Sequence, residues 1–308
     1  MSRGLGWLLF QEIAKENLED NVWISPTSIN TALAMATMGA STNSTTEVEL
    51  LKALAADDKE SLAKRTEDEM LFAAQFPMGG DVGIELAIAN AIFASGAIKT
   101  SYIELLNTRF RADALPLTDH TAINTWVADK TKDQITNLLD ELDPLTKAVI
   151  VNAVYFKGAW ETAFETDRTM KSQFKLLGGE TKSCAMMSSD NKEFYFENSL
   201  FQAVMKPYKS GKIGAVFVLP REEGAEALQA TEAGVVEAFS SGTFKDAFGA
   251  DVSKTKVILQ VPRFKLKEKL SLKAPLQALG VNQAFLDVGE FKEMSDLVFF
   301  SSFSSRRH

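Results

Sequence analysis

Cysteine and histidine are almost missing from this chain, and that shortage removes several chemistries at once. A single cysteine, Cys184, among 308 residues excludes an intrachain disulfide. Two histidines, His120 and His308, leave too little material for a zinc site, so no metal and no cofactor is expected. A Ser-His-Asp apparatus would need His120, which sits in a polar stretch with no nucleophile motif such as G-x-S-x-G nearby. It reads as a surface histidine, and no catalytic residue is assigned. Apolar runs are short: none approaches the roughly 20 residues of a membrane span, so no membrane contact is expected. The apolar residues 5–10 stop at Gln11 and Glu12, too short for a signal peptide, which favours an intracellular compartment. Basic residues are outnumbered, 33 against 41 acidic, for a net charge of −8. That balance argues against a nucleic-acid or anionic-membrane binder, since both need a positive footprint.

What the chain does have is residues 147–160, KAVIVNAVYFKGAW. From Ala148 to Phe156 only Asn152 is polar. The apolar residues are contiguous and rich in Val, Ile, Tyr and Phe, which favours pleated chain over an amphipathic helix. Apolar side chains on both faces mean cover on both faces, so a central strand under helices is expected. A carboxamide in mid-strand is costly unless its donors and its oxygen find partners, so Asn152 reads as a polar lock.

Around that strand the chain alternates without a regular βαβ repeat, which points to α+β. Leu5, Leu9 and Ile13 define an amphipathic helix, and Ser25-Pro26 starts a second one that Gly39 can close. Ser44 and Glu47 fit a capping box, and residues 57–76 form a helix with a charged outer face. Residues 82–94 are a second strand. Ile123, Val127, Ile135 and Leu139 make a helical stripe. Residues 164–201 read as short strands broken at Gly178-Gly179 and at a polar turn over 188–192. Residues 257–266 alternate, with Phe264 and Leu266 inward. Smaller features take plain readings: Cys184 with Met186 and Met187 as a buried thiol among gap-filling methionines, and residues 211–214 as a hairpin turn. Arg263, Lys265, Lys267 and Lys269 read as a solvated strand face, and Asn43-Ser44-Thr45 as a coincidental glycosylation sequon.

Four separated segments carry a resemblance. Asn152 with Phe156-Lys157-Gly158 and Trp160 resembles the N…FKG.W signature of the serpins, on the long third strand of their main sheet. Residues 21–29, with Ser25, Pro26, Ser28 and Ile29, resemble the serpin NVF.SP.SI segment before the second helix. Asn124, Val127, Thr131 and Ile135 resemble the N.WV...T...I helix that lies across the sheet. Val261-Pro262-Arg263-Phe264 with SLKAPLQALG, ending at Gly280, resembles the PRF…L..PL..LG segment.

The resemblance implies a single domain over residues 1–308, serpin-like α+β, with helices packed around a large mixed main sheet plus smaller sheets. It implies an inhibitor rather than an enzyme. Serpins offer an exposed loop to a serine or cysteine protease, and the cleaved loop then inserts as a new strand and distorts the captured enzyme. By correspondence, Ser25, Ser28 and Asn152 form the hydrogen-bonded shutter where the sheet parts. Trp160 and Arg263 mark the breach where the loop enters, the arginine pairing with an acidic residue at the loop's base. The family is often extracellular, the alternative to an intracellular compartment. Its glycosaminoglycan-binding helix corresponds to residues 57–76, where acidic residues offset Lys64 and Arg65, and that activity is not carried over. Beyond Ser295 the sequence runs through LVFF at 297–300 to His308 without matching the family's shutter histidine, hinge, reactive-centre loop or last strands. The expectation is therefore a fold incomplete at its C-terminal end, without a reactive-centre bond and non-inhibitory as given. The complete product would be a suicide-trap inhibitor, the alternative being a non-inhibitory serpin-fold binding protein or truncated remnant. Exposed sheet edges would then invite self-association by strand addition.

Overall fold

Pro26 opens the helix on which most of the core is built, behind a Ser25 cap whose Oγ accepts the Ser28 N–H at 3.3 Å. A computed structural model describes residues 4–16, 21–81, 83–96, 98–144, 146, 148–249, 251–266, 268–286, 290–296 and 304–307. The first part runs α1 (Leu5–Glu16), α2 (Pro26–Gly39), α3 (Thr45–Ala53), α4 (Lys59–Ala73), β1 (Ile84–Ala94), α5 (Thr100–Phe110) and β2 (Ala112–Pro116). There follow α6 (His120–Lys130), β3 (Ala148–Gly158), β4 (Met170–Lys175), β5 (Thr181–Glu197), β6 (Phe201–Pro207) and β7 (Gly214–Pro220). The remainder is α7 (Ala225–Ser240), α8 (Thr243–Ala247), β8 (Thr255–Pro262), β9 (Glu268–Ser271), α9 (Lys273–Ala278) and β10 (Ser304–Arg307). Helices and two larger sheets in this mixed order make an α+β fold. Among the described residues no helix is long and apolar enough to cross a membrane.

The first sheet has the order β2-β1-β3, with β2 parallel and β3 antiparallel to β1. Both faces of β3 are covered over residues 148–153, as its apolar run requires, whereas Phe156 near its end is 41% exposed. Ala148 and Ile150 join the large core with Leu33 and Met35 of α2, while Val149, Val151 and Ala153 join Ile123 and Val127 of α6. Its lateral position differs from the expected one: among the described residues β3 is an edge strand, paired only with β1.

The second sheet is organised by β5. Its first half pairs with β4, residues 186–193 pair with β8, and its last residues pair with β6, which continues to β7. The polar stretch 188–192 is therefore mid-strand rather than a turn, because β8 lies beside it and satisfies its main chain. β9 and β10 form a separate antiparallel pair.

Four further local expectations are revised. α6 stops at Lys130, since Thr131 Oγ1 donates to Val127 O at 2.7 Å and accepts from Ile135 N at 3.1 Å, while Lys132 and Asp133 turn left-handed. Ile135 and Leu138 are still buried, beneath a loop held by Asn124 Oδ1, which accepts from Leu138 N and Leu139 N. Phe264 lies past the end of β8 and is 61% exposed rather than inward. Cys184 is half-buried, not sealed in the core. At α3, Ser44 caps Glu47 N, but the Glu47 carboxylate accepts from Asn43 N instead of returning to Ser44.

Tyr102 on α5 crosses the core to donate to Met35 O at 2.8 Å. Burial drives its phenol well above the ordinary value of 10.0. An unfolded tyrosine loses its proton where the folded one keeps it, so this stabilisation is intact below that value and lost as pH rises past it. The urea midpoint should therefore fall between about pH 9 and about pH 11, and Tyr102→Phe should reduce the fall. Tyr208, also raised by burial, retains part of it.

Candidate functional site at β3

Asn152 stands directly opposite Asn90 in the β1–β3 register. Its Nδ2 donates to Asn90 Oδ1 at 2.6 Å, and Asn90 Nδ2 donates to Phe110 O at 2.8 Å. Phe110 ends α5, where Arg111 turns left-handed into β2, so the chain of carboxamides ties β3 through β1 to that corner. Asn90 is 1% exposed. The pair gives the Asn152 amide nitrogen the partner it was expected to need, though not its oxygen, and it brings in Asn90, which sequence reasoning missed. The signal was present: Asn90 interrupts ELAIANAIFA just as Asn152 interrupts its own apolar run. Ser25 and Ser28 meet each other at the start of α2, which packs on the same face of β3. Asn152 Oδ1, with Asn30 Oδ1 and Thr31 Oγ1 of α2, is buried without a hydrogen-bond partner among the described residues.

At the other end of β3 the aromatic residues converge. The Trp160 ring stacks on Tyr208 at 4.3 Å and 11°, with Phe164 edge-on at 6.3 Å and Phe217 tilted at 6.1 Å. Main-chain bonds Lys209 N to Ala159 O and Glu161 N to Pro207 O, both 2.9 Å, clamp the two segments together. Gly158 is required here because a Cβ would lie 2.6 Å from the Tyr208 ring and 2.9 Å from Phe156. Arg263 is found elsewhere, past the end of β8, where its N–H donates to Ala185 O at 2.7 Å. Its guanidinium is exposed, without an ion-pair partner among the described residues. Lys265 is exposed as expected, whereas Lys267, His308 and residues 297–303 lie outside the described residues, as does the Lys269 side chain.

Beneath the aromatic cluster is a sealed ion pair. Lys206 Nζ on β6 sits 2.7 Å from Glu193 Oε1 on β5, with the side chains 0% and 3% exposed. The ammonium also faces the Phe164 ring at 5.0 Å, which couples the pair to Trp160. Among the described residues no three His, Cys, Asp or Glu side chains gather to hold a metal. The arrangement brings together a strand edge, buried acceptors and an aromatic end packed against a sealed ion pair.

A family model described as "Serpin (serine protease inhibitor)" matches residues 2–305. The chain belongs to the serpins. The serpin is 31% identical over 287 residues to Intracellular coagulation inhibitor 2 of Tachypleus tridentatus, covering 89% of this chain and 68% of that one. It is 32% identical over 292 residues to Iripin-2 of Ixodes ricinus, covering 90% and 71%. The fold is also that of ovalbumin from emu, Dromaius novaehollandiae, at TM-score 0.84 and 21% identity, covering 99% of this chain and 86% of that one. The matched portion is thus 68% and 71% of the two relatives' lengths.

Removing either partner of a buried polar pair strands the other. Asn90→Ala should destabilise by about 2–3 kcal/mol and Asn152→Ala by about 1–2 kcal/mol, with the double variant below the sum in urea midpoints. Glu193→Gln should cost about 3–5 kcal/mol by leaving an unpaired ammonium, whereas Glu193→Leu with Lys206→Met should recover most of it.

Proposed function

We propose that this serpin is the body of a suicide-trap inhibitor of serine or cysteine endopeptidases, its first sheet accepting a strand at the outer edge of β3. The observation that carries the reading is that edge: eleven residues, the first six covered on both faces, with no strand on the outer side among the described residues. A strand added there satisfies a row of main-chain groups in surroundings from which α2 and α6 already exclude water. The similarity to a coagulation inhibitor supports the inhibitory branch. In this reading Ser25, Ser28 and Asn152, with Asn90 added, hold the place where the sheet parts. Trp160 is taken to mark the side by which the strand enters, and Arg263, past the end of β8 and without an ion-pair partner among the described residues, to meet a carboxylate at the base of the loop.

In this reading the hinge and bait loop are not among the segments of these 308 residues that resemble the family. The trap is accordingly assigned to a chain that carries them, and the 308 residues alone should bind rather than inhibit. Incubated with a panel of serine and cysteine proteases, they should give no complex that survives boiling in detergent. A chain extended with a hinge and loop should give one. A covalent complex with the 308 residues, or none with the extended chain, overturns the proposal.

The same edge should also drive self-association. Sedimentation should reveal dimers or larger species that a hinge-like peptide converts to monomer. A monomer indifferent to the peptide would refute the strand-accepting edge.

A further inference from the structure

β4 is the edge of the second sheet, and its outer side pairs with nothing among the described residues. Which of its main-chain groups face outward follows from two bonds. Arg263 N donates to Ala185 O, so the main chain of Ala185 points toward β8 and away from β4. Ala185 is opposite Lys171, so Lys171 directs its own N–H and C=O away from β5. By alternation Gln173 and Lys175 do the same. The bond Leu176 N to Glu180 O at 2.7 Å, closing the hairpin, fits that parity.

The side chains of this edge divide into two stripes. Met170, Ser172 and Phe174 share one face, Lys171, Gln173 and Lys175 the other, and every residue of the strand is exposed. Met170 is 69% exposed, and Leu176 and Leu177 extend the apolar surface into the turn. Over residues 170–184 there are three lysines, Lys171, Lys175 and Lys182, against Glu180 alone, in a chain of net charge −8. Lys175 already attracts a carboxylate, Glu223 at 2.5 Å, with both groups exposed, while Lys171 has no ion-pair partner among the described residues.

We propose that the outer edge of β4 docks an extended acidic segment of a partner protein by strand addition, its carboxylates against Lys171 and Lys175 and its apolar side chains against Met170 and Phe174. Charge selects this occupant over a second copy of the chain. Two β4 strands paired antiparallel about Gln173 would set each Lys171 opposite a Lys175, and like charges directly opposite disfavour pairing. An acidic strand turns the same lysines from a barrier into a recognition element. The proposal is independent of the protease trap and of the β3 edge.

The probe is a fluorescent peptide of about eight residues alternating Glu and Val, with a Lys–Val peptide as control. Anisotropy should show binding of the acidic peptide alone, weakened by added salt. Lys171→Glu with Lys175→Glu should lower affinity by about tenfold or more. Gln173→Pro should lower it similarly by deleting an outward N–H that takes no part in the β4–β5 ladder, with the melting temperature nearly unchanged. If Gln173→Pro fails to fold, the charge-reversed variant decides. Equal binding by wild type and charge-reversed protein would place the peptide elsewhere, the β3 edge included, and overturn the proposal. So would equal binding of the Lys–Val peptide, or binding of phosphatidylserine-containing vesicles in place of peptide.

Discussion

One hydrogen bond between two side-chain amides sets the register of the first sheet. β1 and β3 are apolar along most of their shared length, and apolar pairs alone discriminate poorly between neighbouring alignments. Sliding β3 by two residues would keep its faces correct but put Asn152 opposite Ile88 or Ile92. The buried Asn90 amide and the half-buried Asn152 amide would then lose each other, and Phe110 O would keep only half of its link to the strand pair. The amides therefore supply specificity that the hydrophobic contacts cannot, and α2, α5 and α6 pack on a sheet whose alignment is already chosen.

The same physics separates what was legible in the sequence from what was not. The apolar run of β3 announced its strand, its two covered faces and its polar exception, because burial and periodicity are local properties. The partner of Asn152 is 62 residues away and could be named only once β1 lay beside β3. Ile135 and Leu139 kept helical spacing although Thr131, Lys132 and Asp133 take the backbone out of the helix, since burial constrains side chains and not the path between them. The polar stretch 188–192 looked like a turn because its long-range partner, β8, was invisible. Phe264 was misplaced for the opposite reason: alternation was extended past the point where pairing stops. Lys206 gave no signal at all, since a buried lysine becomes intelligible only with Glu193 opposite it.

Seen from the aromatic end, the fold joins its two sheets without a shared hydrogen-bond ladder. The Trp160–Tyr208 stack, the bonds on either side of it and the Lys206–Phe164 contact connect β3 to β6 through side chains and a short bridge. A contact of stacked rings tolerates small rotations that a continuous ladder would forbid. Gly158 keeps that contact close by leaving the Tyr208 ring the space of a methyl group.

β5 has a consequence for the order of assembly. Its pairing with β4 closes through a short turn, whereas its pairing with β8 joins Met186 to Pro262, 76 positions apart. Local contacts form early and distant ones late, so during synthesis the hairpin is complete while residues 186–193 still lack β8, with which they pair. Until α7 and α8 have been made and β8 follows, Met187 and the strand around it present an adhesive edge. The interval is set by the ribosome's pace over some seventy residues, which leaves this strand open to misassembly in a slow or stalled chain.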